Sequence, residues 1–202
     1  MPFSLANTIT ILRFPLLAAV VTLLYQQSDS LRLAAVLLIA VLMFMDTLDG
    51  VVARRRHEES LMGSALDIAA DRAVEIVLWV VFAHLRLIPV IIPLVVIIRG
   101  TLTDSIRAVA AQRGLSAHRM MSSSIGKWLV ASPPMRTGYS LVKIVAFLTL
   151  AWSLQGGGAA WTQAAYETGL YAAWLAMVLC IVRGLPVLWE AQRILRPLPS
   201  QQ

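Results

Sequence analysis

Four aspartates carry the chemistry available to this sequence: Asp46, Asp49, Asp67 and Asp71. Asp46 and Asp49 stand three residues apart and Asp67 and Asp71 four apart, spacings that put each pair on one face of a helix. The short connection Arg54–Met62 makes those helices antiparallel neighbours and brings the two pairs to similar depth. Four converging carboxylates without compensation would repel one another and protonate, whereas one or two divalent cations offset the charge and supply oxygen-seeking partners. An all-oxygen donor set selects Mg²⁺, with Mn²⁺ the next fit. Gly50 and Ala53 remove side-chain bulk where a ligand or a second helix must come close, and Arg54 offers a guanidinium fork to a phosphate. The competing reading, buried salt bridges to arginines on other helices, explains a single intramembrane acid better than four at these spacings.

These acids sit in an apolar chain. Hydrophobic residues make up 58% of the 202, charged residues 14%, and mean hydropathy is +0.75, which together exclude an ordinary water-soluble domain of this size. The net charge of +6 then reads as Lys and Arg gathered on the cytoplasmic flanks of membrane helices, not as a nucleic-acid footprint. Cys180 is the single cysteine, lies in an apolar run and has no disulfide partner, so its role is packing. No basic region and small-residue cleavage site mark the start of the chain as a cleaved signal. His57, His84 and His118 fall in no metal-binding spacing.

Six apolar runs follow one another: Phe14–Tyr25, Leu33–Met45, Ile76–Leu85, Leu87–Ile98, Ile144–Leu154 and Leu170–Val182. Each is shorter than the roughly 20 residues of a spanning helix, so each must continue through polar residues. The polar continuations come alternately before and after the runs, starting with Asn7–Arg13 and ending with Arg183–Arg193. The expected fold is therefore all-α, a single domain over residues 1–202: a bundle of six transmembrane helices with a polar cavity cut into one membrane half. Loops on that side hold Arg54, Arg55, Arg56, Arg113, Arg119 and Lys127, against Arg32 and Arg86 opposite, which makes the polar side cytoplasmic. Residues 1–11 are expected to lie partly in the interface, Ser132-Pro133-Pro134 to break the chain before the fifth helix, and Lys127–Met135 to be an insertion.

The run Asp46-Thr-Leu-Asp49-Gly50-Val-Val-Ala53-Arg54, eight residues, Gly63, three residues, Asp67, three residues, Asp71 resembles the complete signature of the CDP-alcohol phosphatidyltransferases. The resemblance implies a multi-pass enzyme of the inner (cytoplasmic) membrane whose active site faces the cytoplasm. It also implies a two-ion Mg²⁺ centre, with Asp46, Asp49 and Asp67 as ligands and Asp71 as both ligand and general base. Asn7, Thr10 and Arg13 are similar to the family's N-terminal polar stretch near the nucleotide, and Gly50, Arg54, Ser60 and Gly63 fall where CDP-diacylglycerol contacts are expected. A homodimer among membrane lipids is the implied assembly, with Trp79, Trp152, Trp161 and Trp174 as candidate interfacial anchors.

The polar side is rich in bases beyond the signature. Arg99, Arg107, Arg136 and Arg183 lie at or inside helix edges, more positive charge than a neutral or zwitterionic alcohol needs, so the expected acceptor is a small phosphorylated alcohol. Their placement is similar to the phosphatidylglycerophosphate synthases of bacteria, which implies glycerol 3-phosphate. Gly100 where an acid is expected, and Arg136 where lysine is usual, keep inositol phosphate as the alternative. A transporter would need polar groups across both membrane halves and repeat symmetry, neither of which the sequence has. A purely scaffolding bundle leaves the four aspartates without purpose.

Overall fold

A computed structural model describes residues 5–56, 61–112, 124–156 and 160–195, with backbone alone at 5–6, 46–56, 61–62, 64, 124–125, 131 and 192–195. Among the described residues the chain forms seven helices and no strand: α1 (Leu5–Leu24), α2 (Asp29–Arg56), α3 (Leu61–His84), α4 (Ile91–Gln112), α5 (Ser124–Ala131), α6 (Pro133–Trp152) and α7 (Ala160–Leu195). Six of them, all but α5, each join one apolar run to its polar continuation in an unbroken helix. Two of the described helices, α1 over Asn7–Leu24 and α7 over Ala160–Ala191, are long and apolar enough to cross a membrane by length and composition. Large apolar side chains stand outward along the helices, among them Leu37, Phe44, Ile98, Leu185 and Trp189. So apolar an exterior belongs to a chain whose solvent is not water alone.

The polar stretch Asn7–Arg13 and the first apolar run form one helix, as its place before that run predicts. Two boundaries differ from expectation, each for a local reason. Pro133 and Pro134 open α6 instead of preceding it: proline is tolerated in the first turn, where its missing N–H has no helical partner, and the Ser132 hydroxyl caps the Met135 N–H at 3.4 Å. The stretch expected to be an insertion holds the C-terminal part of α5 and the start of α6. Farther on, α7 begins ten residues before its apolar run, where Gln163 and Glu167 pair side chains one turn apart at 2.8 Å.

The chain divides into two compact units: Met1–Val90 with Ile144–Tyr171, and Ile91–Lys143 with Ala172–Gln202. In the first, α1 packs on α2 and α3. Its buried positions Thr10, Arg13, Leu17, Val20 and Leu24 recur at three- and four-residue steps, so the polar and apolar parts of α1 share one inward face. Trp79 and Phe82 of α3 close on Phe147, with the Trp79 and Phe147 rings edge to face at 4.6 Å. Gly169 lets α7 lie against α6, since a Cβ there would come within 2.8 Å of Thr149 and Leu150 side-chain atoms.

The turns at the unpolar ends are tied by their own charged residues. Arg32 donates to the carbonyls of Gln26 and Leu154, just past the ends of α1 and α6, and Asp29 accepts the Gly156 N–H at 2.7 Å. Arg86 takes φ 60° after α3, with Leu87 N–H bonded to Phe82 O and Arg86 N–H to Ala83 O, a left-handed helix stop. The Arg32 side chain thus serves two helix ends. In the second unit, Ile106 and Ala110 of α4, Val130 of α5 and Val187 of α7 form a buried cluster.

Candidate active site

The described part of the aspartate constellation is built on the α1–α3 contact. Asp67 and Asp71 lie one turn apart on α3, and Arg13 reaches them from the inward face of α1. Its Nη2 donates to Asp71 Oδ1 at 2.6 Å, and its Nη1 lies 3.6 Å from Asp67 Oδ1. Arg13 is 1% exposed, whereas the two aspartate side chains are about half exposed, at 43% and 50%. A buried guanidinium therefore backs a carboxylate pair whose other side is open. A charge sunk this deeply in an apolar helix is tolerable only with such partners.

Asp46, Asp49, Gly50 and Arg54 belong to the α2 backbone helix, their side chains lying outside the described residues, as does Ser60 altogether. Among the described residues no group of three or more His, Cys, Asp or Glu is assembled to hold a metal. The described half of the aspartate set nonetheless suits a divalent cation: two hard oxygen donors on one helix face, partly open, already sharing one positive group. Asn7 and Thr10 stand on α1 two turns and one turn before Arg13, Asn7 partly exposed and Thr10 buried, and Gly63 stands one turn before Asp67. Glu75, a turn beyond Asp71 and 8% exposed, pairs with Arg72 at 3.3 Å.

The second unit gathers the bases. Ten Lys and Arg fall in it against two acids, Asp104 and Glu190, while the first unit has seven bases and nine acids. Arg99 and Arg107 from α4 and Arg136 from α6 each lie within electrostatic range of Arg183 on α7. Arg183 donates from Nε to the Leu129 carbonyl at 3.3 Å, and its guanidinium sits 5.2 Å from the centre of the buried Tyr139 ring. Lys143 approaches the same ring at 4.7 Å. Beneath Arg99 lies Gly184, where a Cβ would come within 2.8 Å of Arg99 Cγ and 2.9 Å of its Nε. Converging like charges cost free energy unless an anion joins them.

A family model for the CDP-alcohol phosphatidyltransferases matches residues 3–182, which run through both units. The chain belongs to the CDP-alcohol phosphatidyltransferase family. A comparison with curated protein sequences found no match. As a member of this family the chain is an enzyme of phospholipid synthesis, a transferase for substituted phosphate groups that moves a phosphatidyl group from a CDP-alcohol to an alcohol acceptor. CDP-alcohol phosphatidyltransferases are membrane-associated and generally depend on a divalent metal, in keeping with the two apolar helices α1 and α7.

Sequence reasoning placed Arg13 near the nucleotide, and the structure adds its pairing with Asp67 and Asp71. The signal was present: Asn7, Thr10 and Arg13 share a helix face, and a base buried there needs an acid. Tyr139 and Gly184 carry no signature of their own in the sequence. The groove between Val36, Leu148, Trp152 and Trp161 has no charged side chain to offer a phosphate or a metal, so it is not the catalytic centre.

Proposed function

We propose that this transferase makes a phosphatidylglycerol phosphate: it transfers the phosphatidyl group of CDP-diacylglycerol to glycerol 3-phosphate and releases CMP, using Mg²⁺. The observation that carries the reading of the site is the Asp67–Asp71 pair held on Arg13 at 3.6 and 2.6 Å. Asp46, Asp49, Asp67 and Asp71 would hold two ions, Mg²⁺ or Mn²⁺, between them. When bound, such ions neutralise the pyrophosphate and polarise the phosphorus under attack. Asn7, Thr10, Gly50, Arg54, Ser60 and Gly63 bind the CDP end of the lipid. Asp71 takes the proton from the acceptor hydroxyl as its oxygen forms the new P–O bond to the phosphatidyl phosphorus. The bond from that phosphorus to the bridging oxygen breaks, and CMP leaves with the electron pair.

Arg99, Arg107, Arg136 and Arg183 orient the acceptor through its phosphate, a dianion that guanidinium forks bind bidentately. Support comes from the excess of bases in the second unit and their gathering around Arg183. In this reading the six long helices all span the membrane, the polar continuations face the cytoplasm, and residues 1–202 act as one domain in a homodimer. The orientation is supported by Arg32, whose engagement at two helix ends accounts for one of the two bases on the opposite side.

The test is CMP release by the purified protein with Mg²⁺ and CDP-diacylglycerol across a panel of acceptors. Glycerol 3-phosphate should give the highest kcat/KM, and inorganic phosphate or sulfate should compete with it. Preference for inositol phosphate would move the acceptor while keeping the chemistry. Preference for serine or free inositol would refute the phosphate-binding role of the arginines.

A further inference from the structure

Arg13 is more deeply buried than the other described polar groups of the site, and it pairs with both carboxylates of α3. A side chain with 1% exposure has no room to swing away, so its Nη2 fixes where Asp71 Oδ1 stands by a hydrogen bond and its Nη1 draws Asp67 Oδ1 as an ion pair at 3.6 Å. The neighbours on α1 reinforce this: Leu17, Val20 and Leu24 continue the same face into the apolar packing, which anchors the helix that delivers the guanidinium. The carboxylates themselves are half open, so a fixed guanidinium behind them narrows the rotamers they adopt. Fork geometry matters here, because one planar guanidinium presents separate donors to two acceptors while an ammonium concentrates its charge at a point.

We infer that Arg13 is a positioning residue for the metal centre: its fork presets the Asp67 and Asp71 carboxylates as ligands, and it acts on these acids and not on the nucleotide. The inference rests on the reading of Asp67 and Asp71 as metal ligands. Partners that orient ligands from behind contribute about 10- to 100-fold to metal affinity when lost.

The experiment is Mn²⁺ binding to the full-length protein in nanodiscs without nucleotide, followed by the electron paramagnetic resonance of free Mn²⁺. Wild type, Arg13→Lys, Arg13→Gln and Asp67→Asn are compared, with CDP-diacylglycerol affinity and thermal midpoint measured alongside. Arg13→Lys keeps the charge and most of the volume, so it serves if Arg13→Gln does not fold. Expected are a loss of Mn²⁺ affinity of about tenfold or more in Arg13→Lys, at a thermal midpoint close to wild type, and a larger loss in Arg13→Gln. Wild-type or tighter Mn²⁺ binding in Arg13→Lys overturns the inference, and so does a loss confined to CDP-lipid affinity. Wild-type Mn²⁺ affinity in Asp67→Asn overturns the metal reading underneath, a failure distinct from that of Arg13.

Discussion

Replacing Gly184 with alanine adds one methyl group to α7 and should disable the acceptor site selectively. In a helix interior the exchange ordinarily stabilises by roughly 0.5–1 kcal/mol, because glycine surrenders more backbone freedom on folding. Here the new Cβ meets Arg99 Cγ at 2.8 Å, Nε at 2.9 Å and Cδ at 3.4 Å, closer than carbon and nitrogen tolerate. The arginine must shift along most of its length, and being partly exposed it can do so without unfolding the helix. Stability then changes little, while the guanidinium leaves its place. If that place is a phosphate contact, the loss is about 1.5–3 kcal/mol of charge-assisted hydrogen bonding. It converts to a rise of roughly ten- to 150-fold in the acceptor KM. The assay is initial-rate CMP release with glycerol 3-phosphate and CDP-diacylglycerol varied independently in wild type, Gly184→Ala, Arg99→Ala and the double variant. The acceptor KM should rise in each single variant, the lipid KM should hold, and the double variant should be no worse than Arg99→Ala, because both changes remove the same contact. Additive effects, or an unchanged acceptor KM in Gly184→Ala, would refute the reasoning.

Asp71→Asn keeps the side-chain shape and removes the proposed proton acceptor, so CMP release should fall by at least a hundredfold, on the order of a general base's contribution, with CDP-diacylglycerol binding retained. Near-wild-type turnover would show that another group takes the proton. Arg86→Gly should raise the unfolding midpoint by the equivalent of roughly 1 kcal/mol, since φ 60° burdens any residue with a Cβ. A lower midpoint would mean that the Arg86 side chain contributes more than its backbone costs.

Much of this architecture is legible in the sequence because short apolar runs with polar continuations have few ways to satisfy their backbone hydrogen bonds. Asn7–Arg13 and Gly63–Glu75 could be joined to their runs on that ground, and both are helical in α1 and α3. The eight residues of α5 lack the length for a periodic signal, so the stretch from Lys127 reads as an insertion. Pro133-Pro134 reads as a break because proline ends helices, yet it also begins them once Ser132 supplies the cap. At the site, the Asp67–Asp71 spacing is a local fact and was readable. The Arg13 partnership joins residues 58 positions apart, and Gly184 beneath Arg99 is a matter of ångströms between helices, so neither has a local pattern to betray it.

Joining a phosphatidyl group to an alcohol and releasing CMP are one event in this chemistry. Purified protein in nanodiscs with CDP-diacylglycerol should therefore be assayed for CMP and for new phospholipid together, with and without glycerol 3-phosphate, in Mg²⁺ and in EDTA. CMP and phosphatidylglycerol phosphate should form in equal amounts, only when acceptor and cation are both present. CMP released without an acceptor, or product formed undiminished in EDTA, would contradict this chemistry.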